Sequence, residues 1–183
     1  PRETAMNRLK DKIAIITGGA SGIGKSAGEI FAREGATIVV ADMNPDAIQR
    51  TVQEFTSKGF KAIGQVCDVT NRQETQEMVK EVVGQVGRID ILINNAGISR
   101  YRPFAETTSE DWNAVLDVDL KGVFFCAQAV APQMVAQGYG RIVNISSALG
   151  TGAAPHGTAG SPGGSSAYAA AKAGVIMLTK TLA

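Results

Sequence analysis

Five short apolar runs, each followed by a longer segment of helical period, constrain the fold of this chain more than any other feature. The runs are IAIIT (Ile13–Thr17), ATIVVA (Ala36–Ala41), KAIGQV (Lys61–Val66), IDILI (Ile89–Ile93) and RIVNI (Arg141–Ile145). Between them, apolar residues recur at 3.6 spacing, the mark of an amphipathic helix. Ile23, Ala27, Ile30 and Phe31 predict one such face, Ile48, Val52 and Phe55 a second, and Met78, Val79, Val82, Val83 and Val86 a third. A long helix is predicted from Ser109, as its N-cap, through Trp112, Val115, Leu116, Val123, Phe124 and Ala127. Pro132 is predicted to kink that helix or to mark a boundary. A last helix is predicted from near Ser166.

Strands that are apolar throughout, rather than alternating, are expected to be buried on both faces. With helices between them, they predict a parallel sheet with right-handed crossovers. The fold class is α/β, a doubly wound sheet in a single domain from residue 8 to 183, with residues 1–7 as a flexible N-terminal extension. Met6 reads as a start residue. The segment from Gly150 to Ser166 is rich in Gly, Ala, Ser and Pro, and reads as a mobile surface loop. It holds the one histidine, His156, expected to be solvated.

Charge narrows the partners. Lys and Arg total 18 against 17 Asp and Glu, a net +1, which gives no reason to expect nucleic acid or an anionic membrane. No run approaches the ~18 apolar residues of a membrane span, and the polar PRETAMNRLKDK start has no signal core. Cys67 and Cys126 form no CxxC and have no histidine near them, so two reduced thiols and no metal site are expected. A cytoplasmic location follows as the expectation.

The first candidate site is TGGASGIG, Thr17 to Gly24, directly after the first strand. Gly18, Gly22 and Gly24 form a variant of the dinucleotide-binding turn. Glycine allows the tight turn, the approach of backbone to a pyrophosphate and close packing of helix on strand. The helix N-terminus then offers free N–H groups to phosphate. Asp42, at the end of the second strand and 18 residues beyond Gly24, is placed to accept hydrogen bonds from ribose hydroxyls and to repel a 2′-phosphate. Gly19, Ala20 and Ser21 bring no basic residue and Met43 follows the acid, so NAD is the expected cofactor.

In this order and context the chain resembles the short-chain dehydrogenase/reductase family, from about Leu9 to Ala183. Five motifs carry the resemblance: TGGASGIG; CDV (Cys67–Val69); NNAG (Asn94–Gly97); NISS (Asn144–Ser147); and YAAAK (Tyr168–Lys172). Within the family the chain is most similar to the branch of 3-oxoacyl-carrier-protein reductases and sugar or polyol dehydrogenases. The resemblance implies cofactor contacts from Gly18, Ser21, Gly22, Ile23, Gly24, Asp42, Asp68, Val69, Asn95, Ala96, Gly97, Tyr168 and Lys172.

It also implies hydride transfer between NAD(H) and a secondary alcohol or ketone, with Tyr168 as general acid/base. A free phenol titrates near ~10, and a neighbouring ammonium or an oxidised nicotinamide favours its anion. The i, i+4 spacing of Tyr168 and Lys172 puts both on one helical face, with only alanine between them. By resemblance Lys172 also binds the nicotinamide ribose, and Ser147, rather than Ser146, donates to the substrate oxygen. Asp119 stands where relatives carry Asn at a break in the long helix, and is expected to complete a relay or to pair with Lys172. Two alternatives stay open: an NAD-binding but catalytically impaired fragment, and an NADPH-dependent 3-oxoacyl reductase.

Relatives pair as dimers and tetramers through helices that correspond to residues 109–136 and 166–183, so a homodimer or homotetramer is expected. They also continue past the position of Ala183 with further strands and a substrate lid, which this chain is expected to lack as a fragment or a truncated product.

Overall fold

The computed structural model describes residues 7–152 and 166–183, and both His156 and most of the predicted mobile loop fall outside them. Five parallel strands form one sheet in the order β3-β2-β1-β4-β5. They are β1 (Ile13–Thr17), β2 (Thr37–Asp42), β3 (Ala62–Val66), β4 (Ile91–Asn94) and β5 (Arg141–Asn144). Ile15 lies opposite Val39 on one side and Leu92 on the other, which makes β1 the centre of the sheet. The first three strands wind outward one way from β1 and the last two the other way. The switch between β1 and β4 opens a crevice at their C-terminal ends, where ligands of such sheets bind.

Side-chain alternation along each strand feeds a separate core on each face. Ile13, Ile15, Val39 and Leu92 pack with Met78, Val79 and Val82 of α3 (Arg72–Val86) and with Cys126 and Val130 of α5 (Gly122–Ala136). Ile16, Ile38, Val40 and Ile93 pack on the other face with Ala32 of α1 (Gly22–Arg33) and with Ile48 and Phe55 of α2 (Pro45–Ser57). Each fully buried Ile, Leu or Phe contributes about 1.5–3 kcal/mol of transfer free energy. The expectation of strands buried on both faces holds for β1 and β4, whose residues are all buried, and fails at the edges. Four of the five residues of β3 escape full burial, as do all of β5, because nothing covers an edge strand's outer side.

Helix α1 also departs from its predicted face. Ile23 and Ile30 are 71% and 56% exposed, whereas Gly24, Gly28 and Ala32 are buried. A Cβ on Gly28 would stand 3.1 Å from the Phe55 ring, so α1 lies too close to α2 and the sheet for large side chains. The expected N-cap Ser109 proves to be the first residue of α4 (Ser109–Leu116). The cap is Thr108, whose Oγ1 accepts from the Asp111 N–H at 3.1 Å.

The single long helix expected beyond that point is two helices joined by a π turn, Asp117–Lys121. Pro132 marks no boundary, since α5 runs on to Ala136. The last helix, α6 (Ser166–Leu182), packs Ala167 and Ala171 against Val115 of α4. No helix among the described residues is long and apolar enough to cross a membrane.

Candidate functional site

The crevice at the sheet's C-terminal edge is a cleft of about 380 Å³. Its walls follow directly from the ends of four strands: Gly18 after β1, Asp42 at the end of β2, Asp68 after β3 and Gly97 after β4. Of the predicted cofactor residues, Ser21, Gly22, Ile23, Val69, Asn95 and Ala96 also line it, whereas Tyr168, Lys172 and the buried Gly24 do not.

Sterics explain the glycines. Gly18 and Gly22 sit at φ +61° and +51°, a region that side chains disfavour. A Cβ on Gly24 would collide with the Gly18 carbonyl and stand 2.5 Å from Asn95 Nδ2. The residue before α1, Ser21, makes no side-chain cap, and no acid occupies the first turn. The first-turn N–H groups of α1 therefore point at the cleft without a protein partner of their own, as an anion requires.

The turn is held by a junction that the motifs alone did not reveal. Thr17 Oγ1 accepts from the N–H of Asn95 at 3.0 Å and of Ala96 at 3.1 Å, and donates to the Ile93 carbonyl at 3.3 Å. Asn95 Nδ2 donates to the carbonyls of Thr17 at 3.0 Å and Gly18 at 3.2 Å. The Asn95 side chain thus braces the turn, and its backbone lines the cleft. A polar Thr closing an otherwise apolar strand was the available signal. At the far end, Asp42 Oδ2 accepts from the Ala20 N–H at 3.3 Å and Oδ1 from the Asn44 N–H at 3.2 Å, which fixes the carboxylate at the rim. Cys67 also lines the cleft; burial, with Glu74 and Asp68 adding to it, pushes its thiol up to about 12. Both cysteines are free and buried.

The second group of residues meets where β5 ends. Lys172 is 3% exposed; its ammonium donates to the Ile145 carbonyl at 3.0 Å and lies 3.1 Å from Asp119 Oδ2. Tyr168, one turn earlier on α6, places its ring centroid 5.4 Å from Lys172 Nζ. Asp119 is fully buried within the π turn. Its Oδ1 accepts from the Ile98 N–H at 2.7 Å, while Oδ2 faces Lys172 without hydrogen-bond alignment. The predicted pairing of Asp119 with Lys172 is therefore present in the fold.

The two serines divide. Ser146 Oγ donates to the Lys172 carbonyl at 2.9 Å and so grips α6. Ser147 Oγ accepts from the Leu149 N–H at 3.3 Å, capping the short helix Ala148–Thr151, and its own proton has no acceptor among the described residues. Gly150 in that short helix lies against the α6 backbone, where a Cβ would come within 2.7 Å of the Lys172 carbonyl carbon.

A second hollow, of about 480 Å³, runs along the outer side of β5 beside Met134, Tyr139, Ile142 and Leu182, and no predicted site residue reaches it. Among the described residues no group of His, Cys, Asp or Glu is arranged to hold a metal ion.

Residues 12–183 match the family model described as short chain dehydrogenase. Subunit BbsD of the hydroxy(phenyl)methylsuccinyl-CoA dehydrogenase of Thauera aromatica is 40% identical over 175 residues, which is 96% of this chain and 67% of that protein. The 3-oxoacyl-(acyl-carrier-protein) reductase of Thermotoga maritima is 45% identical over 176 residues, 96% of this chain and 68% of that protein. The crystal structure of an NAD+-bound xylitol dehydrogenase superposes with a TM-score of 0.88 at 35% identity, covering 96% of this chain and 65% of that one. The chain spans about two thirds of the length of these relatives. Likeness of this extent, in sequence and in fold alike, means that the chain belongs to the short-chain dehydrogenase/reductase family of oxidoreductases.

Proposed function

We propose that this chain forms the dinucleotide-binding and proton-transfer part of an NAD-dependent oxidoreductase that interconverts a secondary alcohol and a ketone. The observation that carries the reading is the buried Lys172 ammonium, fixed between the Ile145 carbonyl and Asp119 with the Tyr168 ring beside it. An ammonium is costly to bury, and such groups concentrate where chemistry uses them. Nicotinamide chemistry supplies a hydride in one direction and takes it up in the other. The remaining tasks fall to this chain's residues.

In ketone reduction the Tyr168 phenol gives its proton to the carbonyl oxygen, and the Lys172 ammonium stabilises the phenolate left behind. In alcohol oxidation the same phenolate takes the hydroxyl proton. Ser147, whose proton has no acceptor among the described residues, donates to the substrate oxygen and fixes its orientation. Gly18, Ser21, Gly22 and the α1 N-terminus receive the pyrophosphate, and Asp42 receives the adenosine ribose.

The preference for NAD rests on Asp42 at the cleft rim and on a lining that holds no Lys or Arg among the described residues. The 45% identity to a 3-oxoacyl-(acyl-carrier-protein) reductase supports a second reading, reduction of a 3-oxoacyl substrate with NADPH. Steady-state rates with NADH and NADPH over a panel of ketones and 3-oxoacyl thioesters separate the two. We expect NADH to be preferred, and replacing Tyr168 by Phe to lower kcat by roughly a thousandfold with dinucleotide affinity retained. A Tyr168→Phe variant as fast as the parent sinks the mechanism, and a strong NADPH preference overturns the cofactor assignment.

A further inference from the structure

Asp119 lies directly behind the inner end of the cleft. Gly97, Ile98 and Val118 line that end. Asp119 follows Val118 in the π turn, its Oδ1 takes the Ile98 N–H at 2.7 Å, and a Cβ built on Gly97 would stand 2.8 Å from Oδ2. The carboxylate therefore packs against the backbone of the cleft wall. It is fully buried, and its one cationic neighbour among the described residues is Lys172 at 3.1 Å, itself buried. Lys121, the other lysine of the π turn, pairs outward with Asp117 at 2.6 Å. Arg100 and Arg102, in the loop after Ile98, pair with Asp111 of α4, at 3.9 and 2.5 Å. Among the described residues, the charge packed against Gly97 and Ile98 is thus the Asp119 carboxylate, with the Lys172 ammonium beside it.

We propose that Asp119 is a positioning residue that neutralises the Lys172 ammonium and so biases the site toward the oxidised form of its nicotinamide cofactor. The inference rests on the dinucleotide reading given above. An oxidised nicotinamide ring carries a positive charge, and a reduced ring carries none. An unpaired ammonium beside the ring repels the oxidised form alone. A paired ammonium, with the carboxylate at 3.1 Å, presents the ring with almost no net charge. In a site of low effective dielectric, one unit charge a few ångströms from the ring shifts the relative affinity of the two forms by roughly tenfold or more.

The ammonium keeps its task in the pair. It has three donors; the Ile145 carbonyl takes one and Asp119 faces a second, which leaves one for a ribose hydroxyl. An amide at position 119 would still accept from the Ile98 N–H, but would leave the ammonium's charge uncompensated.

The test is equilibrium binding of NAD+ and NADH (or NADP+ and NADPH, should the parent prefer that pair) by calorimetry, with no substrate turned over. In Asp119→Asn the ratio of dissociation constants, oxidised over reduced, is expected to rise roughly tenfold relative to the parent. The double variant Asp119→Asn with Lys172→Met removes both charges. Its ratio is expected to return to the parent value although both forms bind more weakly. Should Asp119→Asn fail to fold, the single variant Lys172→Met carries the test: it leaves the carboxylate without its cation, and its ratio is expected to fall below the parent's, where a structural role predicts no change. A merely structural role for Asp119 weakens both forms alike and leaves the ratio unchanged, which overturns the proposal while the dinucleotide reading stands. A double variant whose ratio departs from the parent's also overturns it. A parent chain that binds neither form overturns both.

Discussion

The cleft and the group of residues where β5 meets α6 are built from different materials. At the β1–β2 end the cleft is made of backbone: glycines at positive φ, the α1 N–H groups, and main-chain atoms braced by Thr17 and Asn95. The group behind its inner end is made of side chains: Ser146, Tyr168, Lys172 and Asp119 meet from three separate segments, with Ser147 next to Ser146 at the end of β5. Backbone suits a ligand whose recognition is shape and phosphate charge, and tolerates no added atoms. Side chains suit chemistry, because a proton must sit on a particular atom with a particular neighbour. Substitutions in the glycine turn should therefore move binding and folding together, whereas those of Ser147 and Tyr168 should move rate while leaving both nearly intact.

The sharpest break of that contrast is Ser147→Ala. Loss of the hydroxyl should lower kcat by about a hundredfold, the scale for one positioned donor, with little change in melting temperature or dinucleotide affinity. Steady-state kinetics beside a thermal melt decide it. A rate within a few-fold of the parent would instead hand the donor role to a neighbour. Next in size is Gly24→Ala at the backbone end. Its Cβ has no room against the Gly18 carbonyl and Asn95, so overpacking should cost about 1–3 kcal/mol in urea unfolding and weaken dinucleotide binding in the same variant. Binding lost without stability lost would show that the turn is less braced than Thr17 and Asn95 make it.

Ser146→Ala should act differently from its neighbour. It removes the 2.9 Å bond to the Lys172 carbonyl, and so should cost about 1 kcal/mol of stability with kcat nearly unchanged. The smallest effect concerns Cys67 in the cleft wall. Above pH 9.0 the unfolded chain releases the thiol proton, while the folded chain holds it to about pH 12. Its contribution to stability is complete below that window and is lost as pH rises through it. Melting temperatures across the window should fall less steeply for Cys67→Ala than for the parent; parallel curves would show that the buried thiol is not responsible.

Much of this contrast is legible in the sequence, and the exceptions share a cause. β1 runs from Ile13 to Thr17 as its apolar run predicts, and the glycine turn and Asp42 stand where spacing puts them. The pairing of Asp119 with Lys172 follows from a residue type at a known position. What the chain does not declare is how close two elements come. Ile23 and Ile30 have the spacing of a core face, yet they are exposed, because Gly24 and Gly28 let α1 approach where no large side chain fits. Apolar content likewise does not distinguish an edge strand such as β5 from a central one, since edge position is decided by the order of the sheet. The bond from Ser146 to the Lys172 carbonyl joins residues 26 apart, and no local pattern encodes it.

The π turn has a consequence for phase. A π turn holds one residue more than the α-helical turn it interrupts. From Asp111 through Val115 and Asp119 to Val123, the buried positions recur every fourth residue, a spacing that a straight helix would rotate steadily out of register. The extra residue takes up that rotation, so Val115 of α4 can pack against α6 and Cys126 and Val130 of α5 against the sheet while Asp119 turns inward. Removing a single residue between 117 and 121 would make the helix regular, and would also turn all of α5 by about 100°, carrying Cys126 and Val130 out of the core they now fill. The position of the Asp119 carboxylate and the phase of the helix after it are thus set by the same extra residue.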